Sequence, residues 1–165
     1  RRTWTYCAAF CQKTFSETFA HMNTPENMEI YLNQAFARER ILAELENQDS
    51  AFYLLYQNGS AAGCLKVNEA AAQTEIGDPR SLEIERIYVA KEFQGTGIGG
   101  RLMDEAVRLA SEQKKEYIWL GVWEKNERAI RSMKGKAFTE QAPIHLPWEM
   151  TNRPIILCGR IYQMI

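Results

Sequence analysis

The chain contains no apolar run approaching the roughly 20 residues that a membrane-crossing helix requires, and its start lacks the continuous apolar core of a secretory leader. These absences predict a cytoplasmic protein with no membrane partner. An excess of either charge is also missing: 20 Lys and Arg stand against 21 Asp and Glu, a net charge of −1, and no basic stripe is interleaved with aromatics. A nucleic-acid surface is therefore not expected, and the partner should be small. Only two histidines occur, His21 and His145, far apart, and the four cysteines (Cys7, Cys11, Cys64, Cys158) lack metal-ligand spacing. No metal is expected, and the thiols read as packing residues of a reducing compartment. Repeats and low-complexity tracts are lacking as well.

What is present is an ordinary globular composition. With 45% hydrophobic and 25% charged residues, the 165 residues suit one domain over 1–165 with a substantial core. The pattern from Thr14 to Phe19 predicts a helix, and Thr24 as N-cap with Pro25 at the first helical position opens a second. Phe36 to Gln48 reads as a third. Alternation in Phe52–Tyr56, the Asn58-Gly59 pair and Gly63–Val67 predict a β-hairpin, because Asn-Gly accepts the positive φ values of a tight turn. Ala70 to Pro79 reads as a polar loop, Leu82–Val89 as a strand, Ile98–Lys114 as an amphipathic helix, Tyr117–Trp123 as a strand and Asn126–Lys134 as a helix.

The most informative run is Glu83-Ile84-Glu85-Arg86-Ile87-Tyr88-Val89 followed by Gln94-Gly95-Thr96-Gly97-Ile98-Gly99-Gly100. A strand enters a glycine-dense loop and a helix begins at once, so unpaired backbone N–H groups and the positive end of the helix dipole meet where glycine allows close approach. That arrangement suits a phosphate. A dinucleotide fingerprint needs another glycine spacing and a P-loop needs Gly-Lys-Ser/Thr; neither is present.

Gln94, Gly97 and Gly99 resemble the Q/R-x-x-G-x-G/A motif of the GNAT family of N-acetyltransferases, which holds the pyrophosphate of acetyl-coenzyme A. The element order, helices, then a hairpin, then β-α-β-α, is similar to that family's fold, an α/β structure with a central mixed sheet flanked by helices. The resemblance implies acetyl-coenzyme A as cosubstrate and a small amine as acceptor. It places the pyrophosphate on Gln94, Gly95, Thr96, Gly97, Ile98, Gly99 and Gly100. The pantetheine arm falls along the backbone of Ile87, Tyr88 and Val89, near the motif asparagine Asn126. A homodimer is the assembly that it implies.

An amine with a lysine-like pKa of ~10.4 is almost entirely protonated at neutral pH, so a carboxylate that takes the proton is useful. Glu83 and Glu85 lie two apart on a predicted strand and share a face. In the family a glutamate at one or other position serves as general base, so both are candidates, with Glu85 ahead. Trp119 and Trp123 lie four apart on one strand face and read as core, although Trp123 near the strand end could line a pocket.

Within the family, the stretches TPENMEIYLNQAF, SLEIERIYV, FQGTGIG and IWLGVWEKNERAI are similar to the PaiA-type spermidine/spermine N-acetyltransferases, from about Thr14 to Ile130. This implies a polyamine acceptor and an acidic pocket, with Glu17, Glu26, Glu29, Glu83, Glu85 and Glu124 as candidates. No cysteine matches a family nucleophile, so transfer is expected to be direct, in a ternary complex.

Both ends depart from the family. Where relatives carry Phe-Tyr and then Gly-Phe, this chain has Ser132-Met133 and Ala137-Phe138. The tyrosine in that position protonates the departing thiolate, whereas Met133 has no proton to give. A one-base slip of the reading frame at Ser132 restores Phe-Tyr within codon degeneracy, and residues 1–10 behave likewise, so 1–10 and 132–165 read as frame-shifted. A genuine Met133 favours instead a non-catalytic acyl-coenzyme A sensor. A protein N-terminus or lysine is the alternative acceptor for an enzyme.

Overall fold

The computed structural model describes residues 3–123, 126–134, 139–144 and 155–161. In chain order the elements are α1 (Thr3–Phe19), α2 (Pro25–Ala35), α3 (Arg38–Glu46), β1 (Ser50–Gln57), β2 (Ser60–Asn68), β3 (Ser81–Val89), α4 (Ile98–Glu112), β4 (Tyr117–Trp123), α5 (Glu127–Lys134), β5 (Thr139–Ile144) and β6 (Ile155–Ile161). The strands form one mixed sheet in the order β1-β2-β3-β4-β6-β5. The chain divides into two compact units, Arg1–Val67 with Arg86–Asp104, and Asn68–Glu85 with Glu105–Ile165.

In the first unit, α1 begins at Thr3 rather than Thr14, because Cys7, Cys11 and Thr14 at four- and three-residue spacing line one buried face. The Cys11 thiol lies 2.8 Å from that of Cys64 on β2. This hydrogen bond and burial push the Cys11 thiol well above its ordinary range, so it is a protonated packing residue, as expected. Ala35, Phe36 and Ile41 complete that core, with Phe15 stacked on Tyr31 at 4.5 Å between ring centres. Phe36 caps α2 instead of opening α3. Thr24 accepts from the Asn27 N–H at 3.3 Å, and Asn58 and Gly59 adopt φ of 52° and 78°, so the N-cap and the hairpin turn are where the sequence puts them.

Gly63 has a role that no local pattern announces. A Cβ there would stand 2.8 Å from Leu102 Cδ1, 3.0 Å from Ile98 Cγ2 and 3.0 Å from the Tyr88 carbonyl oxygen. Only glycine lets the start of α4 lie this close to β2, which fixes the helix behind the loop that precedes it.

The second unit contains the first part of β3, paired in parallel with β4 through Ser81–Tyr117, Leu82–Ile118 and Glu83–Trp119. Both faces of Ser81–Ile84 are buried, so this is a central strand. The segment before it is pinned rather than loose. Gln73 Nε2 donates to the carbonyls of Asp78 and Ser81 at 2.9 and 3.2 Å, and Gln73 Oε1 accepts from Trp119 Nε1 at 3.0 Å. Lys115 donates to the Pro79 carbonyl at 2.9 Å and pairs with Glu69 at 2.6 Å. β6 runs antiparallel to β4 from Tyr117–Ile161 to Trp123–Ile155, and β5 antiparallel to β6. No strand is expected there from the sequence. Among the described residues, no helix is long and apolar enough to cross a membrane.

Candidate active site

The first unit carries the loop between β3 and α4. After Val89 the chain makes a short 3₁₀ turn, Lys91–Phe93, and enters α4 at Ile98. The Ala90 N–H donates to the Ala62 carbonyl at 3.0 Å, and the Gln94 amide Nε2 to the Val89 carbonyl at 3.2 Å, which anchors the loop to the strand end. Gly95 and Gly97 take φ of 83° and 88°, in the left-handed region that disfavours every residue with a Cβ. No atom lies within 4 Å of where a Cβ would stand on either glycine. The glycines therefore serve the backbone turn and leave open space beside it, which fits a bulky anion approaching the main chain.

The N–H groups along this run are not equivalent. Those of Gln94 and Thr96 donate within the turn, to the Lys91 and Phe93 carbonyls, each at 3.3 Å. At the start of α4 the Arg101 N–H donates to the Gly97 carbonyl at 3.1 Å. Ile98, Gly99 and Gly100 thus occupy the first turn, where a helix supplies no acceptor of its own. Gly99 differs from its neighbours: a Cβ there would make an ordinary 3.7 Å contact with Val89 Cγ2. Ile87, Tyr88 and Val89 form the end of β3, and burial holds the Tyr88 phenol well above its ordinary range.

The second unit carries the carboxylates. Glu83 is only 2% exposed, while Glu85 is partly exposed. Glu83 Oε2 accepts from the Thr74 N–H at 2.9 Å and from Asn68 Nδ2 at 2.8 Å; the Thr74 hydroxyl donates to Oε1. Glu85 Oε2 accepts from the same Asn68 nitrogen at 2.7 Å. Burial pushes the Glu83 carboxyl above its usual range, the bonds from Thr74 and Asn68 pull it back in part, and the neighbouring Glu85 charge adds to the rise. The two glutamates singled out from the sequence are thus brought together. Asn68 and Thr74 are not visible in it, since nothing local links them to residues up to seventeen positions away. An asparagine placed directly after the strand residues Gly63–Val67 is the one hint.

Asn126 accepts from the Ala129 N–H at 3.2 Å through Oδ1 and so caps α5. Met133 is buried on that helix. Trp119 is buried and bonded to Gln73, which makes it core. Glu17 is exposed and pairs with Lys13 at 3.7 Å; Glu26 and Glu29 lie exposed on α2. Glu124, Ala137, Phe138 and the side chain of Trp123 lie outside the described residues. Among the described residues, no cluster of three or more metal-ligating side chains occurs.

Residues 12–138 match the family described as Acetyltransferase (GNAT) family. An uncharacterized N-acetyltransferase in the pepI 3′ region of Lactobacillus delbrueckii subsp. lactis is 41% identical over 121 residues, 73% of this chain and 70% of that protein. An uncharacterized N-acetyltransferase of Mycobacterium tuberculosis is 26% identical over 124 residues, 75% of each chain. The fold is similar to the crystal structure of the PaiA N-acetyltransferase from Thermoplasma acidophilum in complex with coenzyme A, with a TM-score of 0.75 and 16% identity over 96% of this chain and 92% of that one.

Proposed function

The chain belongs to the GNAT family of acetyltransferases, and from that premise we propose that it acetylates a polyamine, with Glu85 as the general base. It is an N-acetyltransferase whose cosubstrate is acetyl-coenzyme A. The observation that carries the rest is the pair of carboxylates joined by one amide nitrogen on the strand that leads into the glycine loop.

Proton removal is the first demand of the reaction. With an amine pKa of ~10.4, only about one molecule in a thousand is free base at pH 7. Glu83 is buried and its oxygens are taken up by three donors, so it is poorly placed to reach the ammonium proton. Glu85, partly exposed, takes the ammonium proton through water. The amine nitrogen then attacks the thioester carbonyl carbon, a C–N bond forms, the C–S bond breaks, and the second proton lost from the nitrogen passes through water to the departing thiolate. Backbone N–H groups polarise the carbonyl oxygen as charge builds on it. The first turn of α4 and the open space beside Gly95 and Gly97 receive the pyrophosphate.

Support for a polyamine comes from the stretches Thr24–Phe36, Ser81–Val89, Phe93–Gly99 and Ile118–Ile130, which resemble the PaiA-type enzymes, and from the attraction of paired carboxylates for a polycation. One catalytic domain, a homodimer and a cytoplasmic location belong to the same reading; a single unfolding transition and a dimeric mass by light scattering are the expected results for the first two. Coenzyme A release measured across a panel of spermidine, spermine, simple amines and N-terminal peptides tests the acceptor. Preferred turnover of a peptide would replace the polyamine, and cofactor binding without any turnover would make the protein a sensor.

A further inference from the structure

Asn68 closes β2 with no exposure to solvent at all. Its Nδ2 donates at 2.8 Å to Glu83 and at 2.7 Å to Glu85. An amide nitrogen carries two hydrogens, so one side chain commits one to each carboxylate. Ionised carboxylates only accept, which requires that the nitrogen, not Oδ1, face them. Two like charges brought this close repel, and Glu83 registers the charge of Glu85. A shared donor offsets that repulsion and sets the spacing between them.

We propose that Asn68 is a positioning residue of acetyl transfer, tying the partly exposed Glu85 to the buried Glu83 so that the base is held in one orientation. The inference rests on Glu85 being the base. Glu83 serves as the anchor because the Thr74 N–H and hydroxyl secure it independently from the segment ahead of β3. That segment is itself fixed through Gln73 to Ser81 and Trp119. The chain of contacts from Trp119 to Glu85 is therefore continuous: Trp119 to Gln73, Thr74 to Glu83, Glu83 to Asn68, Asn68 to Glu85. A rigid supporting shell of this kind is what keeps a reacting group in productive geometry.

The test is the pH–rate profile of Asn68→Leu beside that of Glu85→Gln, with coenzyme A affinity measured by calorimetry on both. Leucine has nearly the same volume but no donor. Taking a donor from a carboxylate disfavours its charged form, so the acid limb of kcat/KM for the amine should move to higher pH and kcat should fall about tenfold or more. Coenzyme A affinity should stay at the wild-type level, which a general loss of structure would not allow. If Asn68→Leu does not fold, Asn68→Ser, too short to span both carboxylates, should give the same upward shift. A normal acid limb in the folded Asn68 variant together with a damaged Glu85→Gln overturns the positioning role alone. An undamaged Glu85→Gln overturns the base assignment and the positioning role with it.

Discussion

Arg86 grips Glu44 with two parallel hydrogen bonds, 2.8 Å from Nη1 to Oε2 and 3.0 Å from Nη2 to Oε1, although it is only 4% exposed. Lys66, equally withdrawn from water, reaches the same carboxylate at 3.1 Å, and Arg40 reaches it from the preceding turn of α3 at 3.0 Å. The rings of Phe36 and Phe52 lie 5.2 and 5.9 Å from the guanidinium. One carboxylate on α3 thus pairs with two buried cations, Lys66 on β2 and Arg86 on β3, and joins that helix to both strands.

Breaking this group by removing one member is costly because charge is then left buried. Glu44→Ala deprives Arg86 and Lys66 of their shared partner, and a loss of about 3–5 kcal/mol is expected. Burial by itself pushes the Glu44 carboxyl up, but Arg86 and Lys66 outweigh it and hold the group below the usual carboxylate range. A depressed folded value stabilises the protein above the unfolded carboxylate pKa of ~4.3, and that stability drains away as pH falls through the folded value. Urea denaturation of the wild type and of Glu44→Ala should therefore differ by several kcal/mol at pH 7 and converge on acidification. A difference that does not change with pH would remove the ion pair from the explanation.

Glu83 has the opposite sign. Its folded value lies above the ordinary one, so the folded state binds its proton more readily, and stability falls as pH rises between the unfolded and folded values. Glutamine suits the site: its oxygen can accept from Asn68 and the Thr74 N–H, and its amide can donate to the Thr74 hydroxyl, which accepts as well as donates. Glu83→Gln should be at least as stable as the wild type at pH 8 and should keep most of its activity. Glu85→Gln should lose about 10²-fold or more in kcat and need a higher pH, since fewer amines then arrive deprotonated. Thermal melts and pH–rate profiles of the two variants decide it; the reverse ranking of activity would move the base to Glu83.

Gly97 and Gly99 stand two apart in one motif but are glycine for different reasons. At Gly97 the φ of 88° strains any other residue by about 1–2 kcal/mol, and a side chain would project into the open space beside the loop. At Gly99 a Cβ makes only an ordinary contact with Val89. Calorimetry should find that Gly97→Val weakens coenzyme A binding far more than it weakens folding, whereas Gly99→Ala binds nearly normally. Equal affinities for Gly97→Val and wild type would take the pyrophosphate away from this loop.

These residues also mark what a sequence can and cannot disclose. Thr24 with Pro25, Asn58 with Gly59, Asn126 ahead of α5 and the strand-loop-helix around Gly97 are legible because each rests on neighbours within about four positions. The carboxylate pair is legible for the same reason. Asn68 on Glu83, Arg86 on Glu44 and Gly63 beneath Leu102 join residues 15, 42 and 39 positions apart, and no local period encodes them. The start of α1 is legible in the Cys7, Cys11, Thr14 spacing, but Trp4, Thr5 and Tyr6 ahead of it have only modest helix propensity. β5 and β6 follow a stretch that departs from the family pattern, so the resemblance gives no guide to them.

Met133, which the family resemblance sets against a tyrosine, is buried on α5, the helix that Asn126 caps. A thiolate leaving group must acquire a proton; a phenol of pKa ~10 is well matched to supply it, and a thioether has none. An efficient enzyme and a methionine here are therefore hard to reconcile, whereas a one-base slip at Ser132 is compatible, within codon degeneracy, with Phe-Tyr in place of Ser132-Met133. Two measurements separate the alternatives. The intact mass of protein made from the natural gene should differ from that of the printed sequence, and agreement to within a few daltons would sink the slip. Protein made with the printed residues should release coenzyme A slowly, and Met133→Tyr should raise kcat while leaving coenzyme A affinity as it was. If that substitution leaves kcat unchanged, water protonates the thiolate and the tyrosine position carries no chemistry in this chain.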